Sequence, residues 1–217
     1  MSVDEVRDAY GRRADEYAEM FATMEAVDER DRKLVSEWAS GITGRMIDAG
    51  CGPGHWTDFL NGLGCDVEGV DLVPRFLDIA RSRFPAVSYR LGQLTNLGVP
   101  DGLLAGILSW YSIIHTAPND VPRILDEFAR CLRDDGTLVL GLCEGPEVEP
   151  FAHAVTTAYF WSIEEMSQRL ANSGFQVEAT ETRADGKRPH AAIIARKGGR
   201  STDATDRVSG AVADGPR

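Results

Sequence analysis

The stretch Ile47-Asp48-Ala49-Gly50-Cys51-Gly52-Pro53-Gly54 holds the densest cue for chemistry in the sequence. Its glycines let backbone approach a ligand closely and permit positive φ. The helix that follows offers unpaired N–H groups to an anionic group such as a carboxylate. A glycine turn after a strand is a weak signal alone, because many such turns only reverse the chain. Asp71 strengthens it: it ends the next apolar run, 21 positions after Gly50, where an acid accepts both hydroxyls of a ribose. Its other reading is an acid that favours the dipole of the helix opened by Pro74. Gly92-Gln93-Leu94 ends a third run. It suits edge hydrogen bonds and an apolar wall for an adenine, or is simply a loop.

A nicotinamide dehydrogenase meets the same conditions, so a nucleotide-dependent oxidoreductase stays an alternative. Against it, the dinucleotide pattern wants glycine or alanine where this chain has His55. Asp48 would also repel a pyrophosphate, yet would attract the ammonium of an amino-acid moiety. For proton transfer, His115 is the best-placed base after the fourth strand, and its bland reading is a hydrogen-bonded structural histidine. His153 is a second candidate in the aromatic-rich connection Glu144 to Trp161, which lines an acceptor pocket or only anchors a long loop. Cys51, Cys65, Cys131 and Cys143 show no metal-ligand spacing, so no metal is expected.

The elements that must position these residues alternate. Residues 2–39 read as a helical cap, with Val3, Val6, Ala9 and Tyr10 and later Leu34, Val35 and Trp38 at helical spacing. Strands are expected at about 46–49, 67–70, 86–91, 103–109 and 137–142. Helices are expected through Leu60, from Pro74, and from Val121 to Leu132. Ser162 and Glu165 form a capping-box pattern before a further helix that stops at Asn172-Ser173-Gly174. Two final runs, 175–182 and 190–195, are joined by a turn too short for a helix and so make an antiparallel hairpin. The fold class is α/β, a doubly wound, mostly parallel sheet whose ligands bind beyond the strand carboxyl ends.

At 217 residues the chain suits one domain, here 1–197 with the cap at 1–41 inside it, and a disordered tail over 198–217. A net charge of −11 opposes nucleic acid as substrate. The basic pairs Arg12-Arg13 and Lys187-Arg188 read as solvated surface, but leave room for one local anion contact. No apolar run reaches membrane-span length, and the N-terminus lacks a signal-peptide pattern, so no membrane association and a cytoplasmic location are expected. Oligomeric state is not readable.

Together, Asp48 to Gly54, Glu68-Gly69-Val70-Asp71, Ser109 to His115 and Asp134-Asp135-Gly136-Thr137-Leu138 resemble the ordered motifs of class I, Rossmann-like S-adenosylmethionine-dependent methyltransferases. Ala9-Tyr10 with Ala14 and Tyr17 resembles an N-terminal signature of their small-molecule members. The resemblance spans about residues 2–196. It implies seven strands in the order 3-2-1-4-5-7-6 with the last antiparallel. It further implies Gly50, Gly52 and Gly54 around the methionine portion of S-adenosylmethionine, with Asp48 close by and Asp71 on the ribose. Gln93 and Leu94 would lie near the adenine, Tyr111 beside the sulfonium, and Tyr10 and Tyr17 over the pocket, with Leu72 also among the cofactor-binding residues. The implied function is methyl transfer to a small molecule; a non-catalytic S-adenosylmethionine-binding protein is the other reading. The Asp-Asp-Gly turn at 134–136 departs from the commoner Pro-Gly.

Overall fold

A computed structural model describes residues 2–21, 23–185 and 188–199. Residues 200–217, where most of the expected disordered tail falls, lie outside the described residues. The cap begins with α1 (Val3–Arg12), whose N-terminus is closed by a reciprocal Ser2/Glu5 capping box. The single helical run expected over 2–39 is instead broken twice. Arg13 leaves helical geometry at φ −118° before α2 (Ala14–Met20), and a 3₁₀ turn at Met24–Ala26 precedes α3 (Glu29–Ser40). The break at Arg13 turns Tyr10 and Tyr17 to one side. Their rings meet edge to face at 5.7 Å, and both pack on Phe76.

The main body alternates β1 (Met46–Ala49), α4 (His55–Gly62), β2 (Val67–Asp71), α5 (Pro74–Arg83), β3 (Ser88–Leu91), β4 (Leu104–Trp110), α6 (Val121–Cys131) and β5 (Leu132–Cys143). Next come β6 (Pro150–Ala152), β7 (Thr157–Tyr159), α7 (Ile163–Asn172), β8 (Phe175–Arg183) and β9 (His190–Lys197). The sheet order is β3-β2-β1-β4-β5-β9-β8, parallel from β3 to β5, with β9 antiparallel to both neighbours. That is the expected topology. Two details differ. β5 pairs from Leu132 because the bend at Asp135 (φ 62°) and Gly136 is absorbed as an irregularity in the β4–β5 register. The connection 144–161 folds into a small β6–β7 hairpin, whose three-residue strands are too short to show a period of two.

Alternation along the strands sends side chains to two cores. On one face Ile47, Ile107, Leu138, Leu140 and Ile193 pack with Leu125, Phe128 and Trp161; on the other Met46, Leu108 and Val139 pack with Val35, Trp38, Trp56 and Leu60. The cap is thereby part of the second core. Trp38 also donates its indole N–H to Thr137 Oγ1 at 2.9 Å.

Ion pairs then fix the start of α3 to the β8–β9 turn. Arg183, about one-tenth exposed, binds the buried Asp31 and faces Asp28 at 3.4 Å, while the exposed Arg30 reaches Asp185 at 2.8 Å. Burial raises the Asp31 carboxyl even beside Arg183. Breaking a buried pair leaves an uncompensated charge, whereas an exposed pair contributes little. Asp31→Ala is therefore expected to cost about 3 kcal/mol, at the low end for a buried pair because Asp28 still faces Arg183. Asp185→Ala should cost less than about 1 kcal/mol. Urea unfolding of the two variants measures both; equal effects would show that the Asp31 pair is no more buried than the exposed one.

Candidate functional site

The turn after β1 folds back over the end of β2: the N–H groups of Gly50 and Cys51 donate to the Val70 carbonyl at 2.7 and 3.1 Å. This brings the Gly52 N–H to Asp71 Oδ2 at 2.8 Å, while Asp71 Oδ1 accepts from the Val73 N–H at 2.8 Å. Gly52 sits at φ +54°, and a Cβ placed there would meet nothing within 4 Å. It therefore combines a left-handed backbone with an open cavity in front of it. Asp71 is buried, which pushes its carboxyl up to about 6 against the pull of the two N–H donors. Behind the turn, Asp48 accepts from Thr57 Oγ1 at 2.7 Å. Burial, with the Asp71 charge adding, raises Asp48 to about 7.

Two cavities meet at this rim and share Tyr10, Tyr17, Gly50, Gly52, Trp110 and Tyr111 as walls. The narrow one, about 80 Å³, runs past Asp71, Leu72, Val73 and Phe76 to Gly92 and Leu94. The wide one, about 510 Å³, opens past Asp48, His55 and Trp56 towards Ile114, Cys143, His153 and Arg188. Another groove, about 500 Å³, lies between α3 and the outer strands and touches Leu34, Trp38, Ala192 and Ile194. It is remote from the strand ends and contains none of the sequence-expected site residues.

Two expected residues do not line either strand-end cavity. Gly54 has φ +91°, and a Cβ there would stand 2.8 Å from the Tyr89 hydroxyl and 2.9 Å from Ala80 Cβ, so this glycine lets α5 and β3 pack against the turn. Gln93 is held in a bridge with Asn96, leaving Gly92 and Leu94 on either side to form the wall. His115 contacts the narrow cavity and the other expected residues line one or both.

The tyrosines at the junction are each tied to a histidine. The Tyr10 hydroxyl is 2.7 Å from His115 Nε2, and His115 Nδ1 is 2.8 Å from the Thr157 carbonyl. A carbonyl only accepts, so Nδ1 carries the proton and Nε2 receives the Tyr10 O–H. Burial keeps this histidine's pKa below its ordinary value. Tyr111 has the left-handed φ of 55°, rare for a bulky residue, and donates its backbone N–H to Gly141 at 2.9 Å. Its hydroxyl bonds His190 Nδ1, whose other nitrogen lies 3.7 Å from Asp31 Oδ1. Burial and then Arg183 push His190 down to about 4, so it is neutral. Burial raises Tyr17 to about 12, with Tyr10 and Tyr111 also raised.

Sequence reasoning missed His190, Asp31 and Arg183, because each reaches the site from an element far away in the chain, and Phe76, which stands close to Asp71 but reads only as part of the apolar face of α5. It treated His55 only as a departure from a dinucleotide turn. In the fold His55 is the buried first residue of α4, stacks on Phe21 at 5.9 Å, and leaves Nδ1 without a partner.

Comparisons with known proteins agree with this arrangement. A family model described as a methyltransferase domain matches residues 46–136. The chain is 31% identical over 134 residues to the malonyl-[acyl-carrier protein] O-methyltransferase of Serratia marcescens, covering 62% of this chain and 51% of that protein. It is 32% identical over 103 residues to the magnesium-protoporphyrin O-methyltransferase of Rhodobacter capsulatus, covering 45% of each. The chain thus spans about half the length of these curated relatives. Among solved structures, the 1,6-didemethyltoxoflavin-N1-methyltransferase of Burkholderia thailandensis superposes with a TM-score of 0.74 at 20% identity, over 90% of this chain and 88% of that one. The magnesium protoporphyrin IX methyltransferase of Synechocystis PCC 6803 gives 0.73 at 16%, over 90% and 98%. The residues that match the methyltransferase-domain family contain the strand-end turn and the acid of β2, and these solved structures share the fold of the chain.

Proposed function

We propose that this protein transfers the methyl group of S-adenosylmethionine to a small-molecule acceptor. The observation that carries the reading is the Gly52 N–H bound to the Asp71 carboxylate at 2.8 Å, on a rim from which a narrow and a wide cavity diverge. The residues fit such a cofactor: a glycine faces open space, a buried carboxylate keeps acceptor capacity, and aromatic rings surround the junction. Gly50 and Gly52, with Asp48 behind them, hold the methionine portion. Asp71 accepts the ribose hydroxyls. Leu72 and Leu94 wall the adenine, with Gln93 at the edge. Tyr10 and Tyr17 cover the site, and Tyr111 separates it from the acceptor. Gly54 supports the turn from behind.

The cofactor supplies an activated methyl on a positive sulfur, so the chain's task is alignment. Holding reactants in line is worth about 7–11 kcal/mol when the geometry is good. The wide cavity takes the acceptor. His115 Nε2 is the nitrogen able to receive a proton from it, through the Tyr10 hydroxyl, because Nδ1 is committed to Thr157. By their names, the relatives above act on malonyl-[acyl-carrier protein] and on magnesium protoporphyrin, and the solved Burkholderia thailandensis enzyme acts on 1,6-didemethyltoxoflavin. A small acceptor fits that range. The acidic net charge of −11 favours it over nucleic acid. No helix among the described residues is long and apolar enough to cross a membrane, and the cytoplasm is the proposed location.

Two measurements test this reading. S-adenosylhomocysteine should bind in calorimetric titration. Its affinity should be flat above about pH 7 and fall as Asp71 protonates near 6, since the ionised carboxylate accepts the ribose hydroxyls. Asp71→Asn should weaken binding roughly ten- to hundredfold and flatten that dependence; undetectable binding to the unsubstituted protein at millimolar ligand overturns the reading. Once an acceptor is in hand, His115→Gln should lower kcat by about 10²–10⁴ with little change in KM. A loss below tenfold would show that His115 only orients Tyr10.

A further inference from the structure

We propose that the wide cavity selects an aromatic acceptor bearing an anionic group, and that Arg188 is the residue that binds that group. A series of ring contacts links the junction to Arg188. His115 lies 5.0 Å from His153, His153 lies 6.2 Å from Phe151, and the Arg188 guanidinium sits 5.1 Å over the Phe151 ring. His153 and Arg188 line the wide cavity together with Tyr10, Tyr17 and Tyr111, so the guanidinium shares one space with the tyrosines of the junction.

The charge inventory of that space singles out Arg188. Glu16 is held by Arg13 at 2.7 Å, and Arg13 also donates to the Ala154 carbonyl. Asp28 and Asp31 are taken by Arg30 and Arg183. Asp48 accepts from Thr57. Among the described residues no carboxylate lies within ion-pair distance of Arg188, whose contact is with the ring face of Phe151. His153 accepts the Val155 N–H on Nδ1 at 3.4 Å, so its Nε2 carries a proton and offers a second donor beside the guanidinium. Burial, His115, Arg188 and Arg13 hold His153 neutral, with a pKa near 4. The cavity thus presents a fork of N–H donors and one imidazole N–H without a resident acid to satisfy them, a set suited to a carboxylate. The bulk net charge of −11 repels anions at long range, so this recognition is local and salt-sensitive.

The inference rests on the methyl-transfer reading only for what happens at the other end of the acceptor, so the two can fail separately. Trp56 and Trp110 line the cavity, and their fluorescence reports binding without turnover. The 217-residue chain is titrated with 4-hydroxybenzoate and with its uncharged counterpart 4-hydroxybenzamide, in the presence and absence of S-adenosylhomocysteine. The acid should bind at least tenfold more tightly than the amide and lose affinity with added salt. R188Q should weaken acid binding roughly ten- to hundredfold, with R188K intermediate, while amide binding, the thermal midpoint and S-adenosylhomocysteine binding stay as in the unsubstituted chain. Equal affinity for acid and amide, no acid binding at millimolar concentration, or an R188Q protein that binds the acid normally overturns the proposal. Loss of S-adenosylhomocysteine binding with acid binding intact would overturn the methyl-transfer reading alone.

Discussion

The hydrogen bond from the Gly52 N–H to the Asp71 carboxylate ties the turn after β1 to the end of β2, at the rim where the two cavities meet. A buried carboxylate is costly unless its oxygens are bonded. Asp71 meets that demand with two backbone donors, one from the glycine turn and one from the start of α5. The same acid thereby fixes where the turn stands and where α5 begins. Parallel strand pairing supplies the register: Asp48 lies opposite Gly69 and Ala49 opposite Val70, so both strands end together.

Around this anchor the cavity walls are built from pairs of weakly polar groups. Tyr10 and Tyr111 approach from the cap and from β4, and each is stopped by a neutral histidine whose second nitrogen faces a fixed partner. The Tyr10–His115 pair is fully hydrogen-bonded, whereas His190 Nε2 has only Asp31 at 3.7 Å, and both pairs leave phenols rather than charges around the junction. Asp48, raised to about 7 by burial, sits behind the backbone turn, and Asp71, raised to about 6, lines the narrow cavity. The result is an electrically soft space with charged groups set back from its centre, suited to a cationic sulfur beside aromatic rings.

The wall facing the acceptor has a different origin. It depends on α3 and the β8–β9 turn being held together by Asp31 and Arg183, and on the β6–β7 hairpin that carries Phe151 and His153 close to His115. In the chain α3 precedes the other two segments by more than a hundred positions. Their meeting is a product of sheet closure, in which antiparallel β9 sets His190 opposite Cys143 and so behind Tyr111.

Periodicity and turn chemistry by themselves determined the alternating α/β order, the glycine turn, the acid at its proper distance and the closing hairpin, since each is written in residues close together. Asp48, Gly50, Gly52 and Asp71, which line the strand-end cavities, were legible as candidates for that reason, whereas Tyr111 was reached only through the resemblance. What only the tertiary structure decided was direction and company. Gly54 turns to Tyr89 rather than to the cavity, and Gln93 yields the wall to its neighbours. His115 meets Tyr10, and His190, Asp31 and Arg188 join a site that no local pattern connects them to. Sequence spacing fixes which backbone positions share an edge; the orientation and protonation of a side chain depend on contacts made across the whole fold.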